Sequence, residues 1–125
     1  MTIDQAHDAH YPEIREAVRD LCAGFDSAYW QRVEEQDAFP EQFVQALTQA
    51  GWLSALIPEN YGGSGLPLTA ASVIMEEINR SGGNSGACHG QMYVMGCLLR
   101  HGSEAQKQRW LPGIAAASCA CSRWR

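Results

Sequence analysis

The most apolar segment of the chain is SGACHGQMYVMGCLLR, residues 85–100. Drawn as a helix, it carries apolar side chains on every side, which on a soluble chain predicts burial on several sides. We expect it to be the central helix. Within it, His89 must either be hydrogen-bonded in the core or line a cavity, and the core position is the favoured one. Met92, Tyr93 and Met95 are interpreted first as core packing and second as an adaptable wall for a flexible apolar ligand.

Amphipathic helices precede this segment. Apolar residues recur at steps of three and four from Tyr11 onward, at Ile14, Val18, Leu21, Cys22 and Phe25, with charged residues between them. Pro40 opens a second helix in its first turn, and Gly51 stands where a helix usually stops. Trp30 and Val33 indicate a short helical piece between the two.

A Gly/Pro-rich connection at residues 52–68 separates the second helix from the third. Its segment Tyr61-Gly62-Gly63-Ser64-Gly65 invites comparison with a phosphate cradle. It lacks both the spaced third glycine of a dinucleotide fingerprint and the Gly-Lys-Ser/Thr of a P-loop, so it predicts a turn.

The third helix is predicted to be capped by Thr69 or a neighbour and to end at residues 81–83. Glu76 and Glu77 are adjacent on it, about 100° apart, and do not converge on one atom, so we expect a solvated face rather than an acid–base pair. Ser103 and Gln106 form a capping box for a fifth helix. The predicted fold is therefore all-α, an orthogonal or up-down bundle of about five helices.

Composition narrows the function classes. The chain has 125 residues, 46% hydrophobic and 18% charged, enough for one domain with its own core. Its net charge of −5, with a single lysine, argues against nucleic-acid binding. No apolar stretch is long enough for a membrane span, and the polar first residues do not resemble a signal peptide. The sequence predicts a cytoplasmic protein.

The cysteine content is consistent with a cytoplasmic protein. The chain has five cysteines, an odd number, and their spacing does not match a disulfide framework. We expect buried thiols at Cys22, Cys88 and Cys97. A zinc site could be imagined from Cys88, His89 and His101, but zinc ligands normally come as two tight pairs and only the C-terminal Cys-x-Cys resembles one, so no metal is expected.

Three motifs resemble the N-terminal helical domain of the acyl-CoA dehydrogenase family. They stand in the family's order and at its distances, and the resemblance covers residues 10 to 116. The motifs are IPENYGGSGL at 57–66, EEINR at 76–80, and RHGSE at 100–104 continuing through Gln106-Lys107 to WLP at 110–112.

The resemblance implies an FAD-dependent oxidoreductase of fatty acid metabolism. Such an enzyme removes a proton from the α carbon and a hydride from the β carbon of an acyl-CoA thioester, passes the electrons to an electron-transferring flavoprotein, and works as a homotetramer. By position, the resemblance assigns the wall of the acyl tunnel to Ser85, Gly86, His89, Gly90 and Tyr93. The two glycines would leave room for the acyl chain. The family's glutamate base and its Thr-Glu-Pro flavin motif belong to later domains, so FAD is not expected to bind this chain alone.

The C-terminal end departs from the family pattern. Read from the third base of the Ala117 codon, a GC-rich back-translation of the tail resembles the family's continuation. The sequence thus predicts a frameshift near Ala117, with a family domain at residues 1–117 and an out-of-frame tail at residues 118–125. We expect the isolated chain to be inactive. Two alternatives are a non-catalytic helical interaction module and one chain of a split enzyme completed in trans.

Overall fold

The computed structural model describes residues 10–116, and within that range the chain forms six α-helices, two 3-10 turns and no strand. The helices are α1 (Pro12–Ala23), α2 (Ser27–Glu35), α3 (Glu41–Gln49), α4 (Leu68–Arg80), α5 (Ser85–His101) and α6 (Glu104–Ala115). The all-α prediction is confirmed, and the sixth helix is α2, which Trp30 and Val33 indicated. The predicted tail at residues 118–125, with Cys119 and Cys121, lies outside the described residues.

Side-chain caps account for the starts of three helices, α2, α5 and α6. The capping box of α6 is present: the Gln106 amide donates to Ser103 Oγ at 3.2 Å, and the Ser103 amide donates to Gln106 Oε1 at 2.8 Å. Asp26 caps α2 by accepting from the Tyr29 amide at 2.9 Å. The start of α4 differs from the prediction. It begins at Leu68, after Pro67, and no side chain caps it.

The connection between α3 and α4 is irregular, as predicted, apart from the 3-10 turns at Trp52–Ser54 and Glu59–Tyr61. It folds back on itself, because the Gly65 amide donates to the Ile57 carbonyl at 2.8 Å and the Leu66 amide to the Ala55 carbonyl at 2.7 Å. A Cβ on Gly63 would lie 2.1 Å from the Ile57 carbonyl oxygen. Only glycine fits at this close approach of two backbone segments.

The core lies where α1, α3, α4, α5 and α6 meet the connection. Its largest fully buried apolar side chains are Val18, Phe43, Leu47, Leu53, Ile57, Ile74, Ile78, Cys88, Met95 and Leu111. Met92 and Met95 are buried, which confirms their interpretation as core. The expectation that α5 is buried on several sides is corrected in part: Val94 is 43% exposed and Cys97 is exposed. The described helices cover one side of α5 and leave the other open.

Candidate functional site

A groove of about 860 Å³ runs between α4 and α5, the helices joined by the short turn at residues 81–84. Its size lies within the range of small-molecule sites. Its lining is mostly apolar. The lining residues are Leu56 from the connection, Leu68, Ala71, Ser72 and Met75 from α4, and His89, Met92, Gly96, Cys97, Leu99, Arg100 and His101 from α5.

Helical spacing produces the two walls. On α4 the lining positions fall at 68, 71, 72 and 75, and on α5 at 89, 92, 96, 97, 99, 100 and 101; most of them recur at steps of three and four. Gly96 leaves the α5 wall open, since a Cβ built on it meets no atom within 4 Å. Met75 and Met92 contribute flexible, polarisable side chains that can adapt to an occupant. The groove therefore suits an elongated apolar ligand.

The groove wall contains basic side chains, and no carboxylate lines it among the described residues. Its basic members are His89, Arg100 and His101. His89 and His101 are exposed, as is Arg100. The groove thus differs in sign from the chain as a whole, whose net charge is −5.

His89 belongs both to this groove and to the predicted acyl wall. It is exposed, so its interpretation as a satisfied core histidine is wrong, and the cavity-lining alternative holds. The reason is that α5 has no cover on this side from the described residues. Its imidazole is therefore reachable by a ligand in the groove.

Three of the other predicted wall residues, Ser85, Gly86 and Gly90, are not among the residues that line the groove. The Ser85 hydroxyl donates to Asn79 Oδ1 at 2.8 Å, which ties the first turn of α5 to the end of α4. Gly86 and Gly90 are exposed, and a Cβ on Gly90 meets nothing within 4 Å. The Tyr93 side chain is outside the described part of the structure. The assignment of these four residues to an acyl wall stays a prediction.

The α4 wall was missed by the sequence analysis. Ala71, Ser72 and Met75 line the groove, yet only α5 was considered as a wall. The recurrence of small and apolar residues at 68, 71, 72 and 75 was the available signal. That spacing marks a second face of α4, distinct from the buried face that carries Val73 and Ile78.

The opposite side of α4 carries a buried ion-pair cluster with α1. Arg15 Nη1 lies 2.9 Å from Glu77 Oε1, and Arg19 Nη2 lies 3.2 Å from the same oxygen. Arg15 Nη2 lies 3.0 Å from Glu76 Oε2. The side chain of Glu77 is 1% exposed. The prediction of a solvated face is therefore wrong for Glu77, because α1 covers this position and supplies the cations.

The cluster sets the charge states of its members. Burial works to raise the pKa of Glu77, but the hydrogen bonds from Arg19 and Arg15 outweigh it, and the net shift is downward. Burial likewise opposes the charge on Arg15, and the bonds to Glu77 and Glu76 more than offset it, so its pKa is raised. Both groups are held ionised. The pair joins two helices and is no candidate for proton transfer.

The described cysteines separate by burial. Cys22 and Cys88 are buried, as expected, whereas Cys97 is exposed in the groove, so the expectation of a buried thiol there is wrong. Burial raises the pKa of Cys88 to about 12. Within residues 10–116 no group of three His, Cys, Asp or Glu side chains is arranged to hold a metal ion.

The Gly-rich segment at residues 61–65 does not fit a flavin phosphate. The space where a Cβ of Gly63 would stand is filled by the backbone of Ile57, and Gly62 and Gly65 have the positive φ of turn residues. A cradle for a phosphate needs free amides facing an open concavity, whereas the Gly62, Gly63 and Gly65 amides donate to carbonyls of the same connection. We assign no flavin contact to this loop.

The fold and groove define a helical domain with a mostly apolar groove of a size suited to a small ligand. A family model described as "Acyl-CoA dehydrogenase, N-terminal domain" matches residues 8–118. The chain belongs to the acyl-CoA dehydrogenase family, within which it corresponds to the N-terminal domain.

Curated relatives agree with that family. The chain is 32% identical over 122 residues to "Probable acyl-CoA dehydrogenase FadE25" of Mycobacterium tuberculosis, which covers 96% of this chain and 30% of that protein. It is 29% identical over 106 residues to "Short-chain specific acyl-CoA dehydrogenase, mitochondrial" of Sus scrofa, covering 80% of this chain and 26% of that protein. The chain thus spans less than a third of the length of these relatives.

None of the helices in the described range is long and apolar enough to cross a membrane. The cytoplasmic location stays a prediction.

Proposed function

We propose that this chain supplies the N-terminal helical domain of an FAD-dependent acyl-CoA dehydrogenase, and that the groove between α4 and α5 is part of the wall along which the acyl chain lies. The reaction of the whole enzyme is the α,β-desaturation of an acyl-CoA thioester. Electron-transferring flavoprotein as the electron acceptor and a homotetrameric assembly are parts of the same proposal.

The observation that carries the proposal is the position of His89. The family resemblance assigns it to the acyl wall, and independently it lines the groove that geometry identifies. The groove volume of about 860 Å³ accommodates an acyl chain, and Met75 and Met92 offer it an adaptable apolar surface. Family position and cavity geometry thus support one site.

The domain's share of the reaction is to bind and orient. FAD, when bound by the complete enzyme, accepts the hydride. We find no cradle for it in the Gly-rich loop, and the resemblance assigns both its main contacts and the glutamate base to other domains. The 125-residue chain alone is therefore proposed to bind an acyl group weakly and not to oxidise it.

Amide chemical shifts of the 125-residue chain test the wall. Octanoyl-CoA is expected to shift the amides of α4 and α5 that border the groove, whereas free CoA is not. His89→Leu should alter the octanoyl-CoA response, and the matched control His10→Leu, an exposed histidine outside the groove, should leave it unchanged. Equal responses to octanoyl-CoA and CoA would exclude an acyl site here.

Absorption spectroscopy and a dye-linked assay test the absence of oxidation. The purified chain is expected to carry no stoichiometric flavin and to reduce no dye with octanoyl-CoA. Bound flavin or turnover would contradict the proposal that this chain alone binds the acyl group without oxidising it.

The two alternatives require a docking surface, and exposed apolar residues favour one. Leu68 is 69% exposed, Val94 43% and Trp110 45%. Such residues cluster at interfaces. A monodisperse monomer in gel filtration would favour a stand-alone interaction module, whereas co-purification with a chain carrying the flavin and the base would support a split enzyme.

A further inference from the structure

We propose that the groove between α4 and α5 binds anionic amphiphiles with a free carboxylate, of the fatty-acid type, and that Arg100 is the residue that recognises the carboxylate. This goes beyond the proposed function, because it requires neither a thioester nor any other domain. It stands whether or not the chain takes part in acyl-CoA oxidation.

Charge complementarity points to the anion. The chain has 14 acidic and 9 basic side chains, so a wall with basic residues and no carboxylate is unlike its average surface. Within residues 10–116 the guanidinium of Arg100 makes no hydrogen bond or ion pair with another side chain. It remains available to a carboxylate, for which its planar donor set is well matched.

The shape of the groove points to an elongated small molecule rather than a protein partner. His89 and Arg100 are eleven positions apart on α5, about 16 Å along the helix axis. Between them the lining is Met92, Gly96, Cys97 and Leu99, with no basic side chain and no carboxylate. A volume of about 860 Å³ suits a medium or long alkyl chain and falls in the range of small-ligand sites.

The preference for a carboxylate should be modest. Arg100 and His101 lie in the last turn of α5, where they also balance the partial negative charge of the terminal carbonyls. Arg100 is exposed, and exposed ion pairs are worth little. We therefore expect the carboxylate to improve affinity by up to about fivefold over a neutral ligand of the same length.

Cys97 provides a reporter inside the groove. It is exposed and lines the cavity, whereas Cys22 and Cys88 are buried. Alkylation by iodoacetamide, followed by mass spectrometry of the peptide containing Cys97, measures occupancy of this site alone. Submicellar decanoate, 1-decanol and decyltrimethylammonium serve as anionic, neutral and cationic probes of equal chain length.

Decanoate is expected to protect Cys97 at the lowest concentration, decanol at a concentration up to about fivefold higher, and decyltrimethylammonium least well. Arg100→Gln should remove the preference for decanoate while leaving protection by decanol unchanged, and Arg100→Lys should retain part of it. The matched control is Arg109→Gln, on α6 and outside the groove, where the guanidinium lies 4.9 Å from the Trp110 ring centroid. It should change neither ligand's effect.

Equal protection by the three probes would overturn the proposal, as would a preference for decanoate that survives in Arg100→Gln or disappears in Arg109→Gln. Decanoate binding without any response to octanoyl-CoA would contradict the proposed acyl-CoA function and leave this inference standing. A response to octanoyl-CoA without discrimination among the three probes would overturn this inference and leave the proposed acyl-CoA function standing.

Discussion

The two sides of α4 have opposite character. Toward α1 it presents Glu77, which is buried and bonded to Arg15 and Arg19. Toward α5 it presents Ala71, Ser72 and Met75, which line an open groove. One side is closed by charge-assisted hydrogen bonds, and the other is apolar and accessible.

This contrast separates stability from binding within one helix. The closed side holds α4 in place through ion pairs that are sensitive to substitution. Removing one partner leaves the charge of the other buried without that partner. On the open side Ala71 belongs to the buried core, whereas the exposed Ser72 and the half-buried Met75 can adjust to a ligand. Substitutions on the two sides should therefore have different consequences, and the following experiments test that expectation.

The largest effect is expected on the closed side. Glu77→Gln keeps the size of the side chain and removes the charge that faces Arg15, whose side chain is 4% exposed. Arg15 then keeps its ion pair with Glu76, so the charge of a buried guanidinium is only partly compensated, and the free energy of unfolding should fall by about 3 kcal/mol. Urea denaturation followed by circular dichroism measures it. The control Glu76→Gln, at a side chain 35% exposed, should cost less than about 1 kcal/mol; equal losses would refute a special role for Glu77.

A second effect is expected at the connection that borders the groove. Gly63→Ala places a Cβ 2.1 Å from the Ile57 carbonyl oxygen, so the connection must shift. We expect a loss of about 2 kcal/mol in the free energy of unfolding. The neighbouring exposed position supplies the control, Ser64→Ala, for which little change is expected. A Gly63→Ala variant as stable as its parent would show that the close approach is dispensable.

Acid should weaken the closed side selectively. The folded-state pKa of Glu77 lies below its ordinary 4.5, so its contribution to stability is complete above that pH and is lost as the pH falls through the folded-state pKa. The difference in unfolding free energy between the parent chain and Glu77→Gln should therefore shrink as the pH is lowered from 7 to 3. Urea midpoints at several pH values measure it. A gap that stays constant would contradict the linkage.

The smallest effect is expected on the open side. Gly90→Ala adds a Cβ that meets no atom within 4 Å inside a helix, so it should stabilise the chain by up to about 1 kcal/mol. Thermal unfolding resolves the change. Gly102→Ala is the contrasting variant, because its Cβ would lie 2.5 Å from the Leu98 carbonyl oxygen and should destabilise. Destabilisation by Gly90→Ala would mean that α5 is covered here.

Periodicity and capping signals sufficed for the helical fold. The all-α class follows from spacings of three and four, and the capping box at Ser103 and Gln106 is present as the sequence indicates. Those signals are local, and the backbone responds to them locally. No side chain caps the start of α1, α3 or α4; at α4, Pro67 fixes the entry without a side-chain bond.

Tertiary placement could not be predicted in the same way. Glu77 has the sequence context of a solvated residue, and only the packing of α1 over α4, some sixty positions away in the chain, makes it a buried ion partner. His89 has the context of a core residue and is exposed because nothing in the described part of the chain covers that face of α5. The sequence shows that both side chains are ionisable, but it does not show which residues pack against them in the folded domain.

The reactivity of Cys88 with a thiol reagent reports how often the folded domain opens. Its thiol is fully buried, and the pKa of about 12 leaves almost no thiolate at neutral pH. A thiol reagent therefore does not react with Cys88 while the helices are packed. When they separate, the pKa of the Cys88 thiol returns to its ordinary range and labelling becomes fast. The rate at which the Cys88 peptide is modified under native conditions thus reports how often the core opens, without any engineered probe.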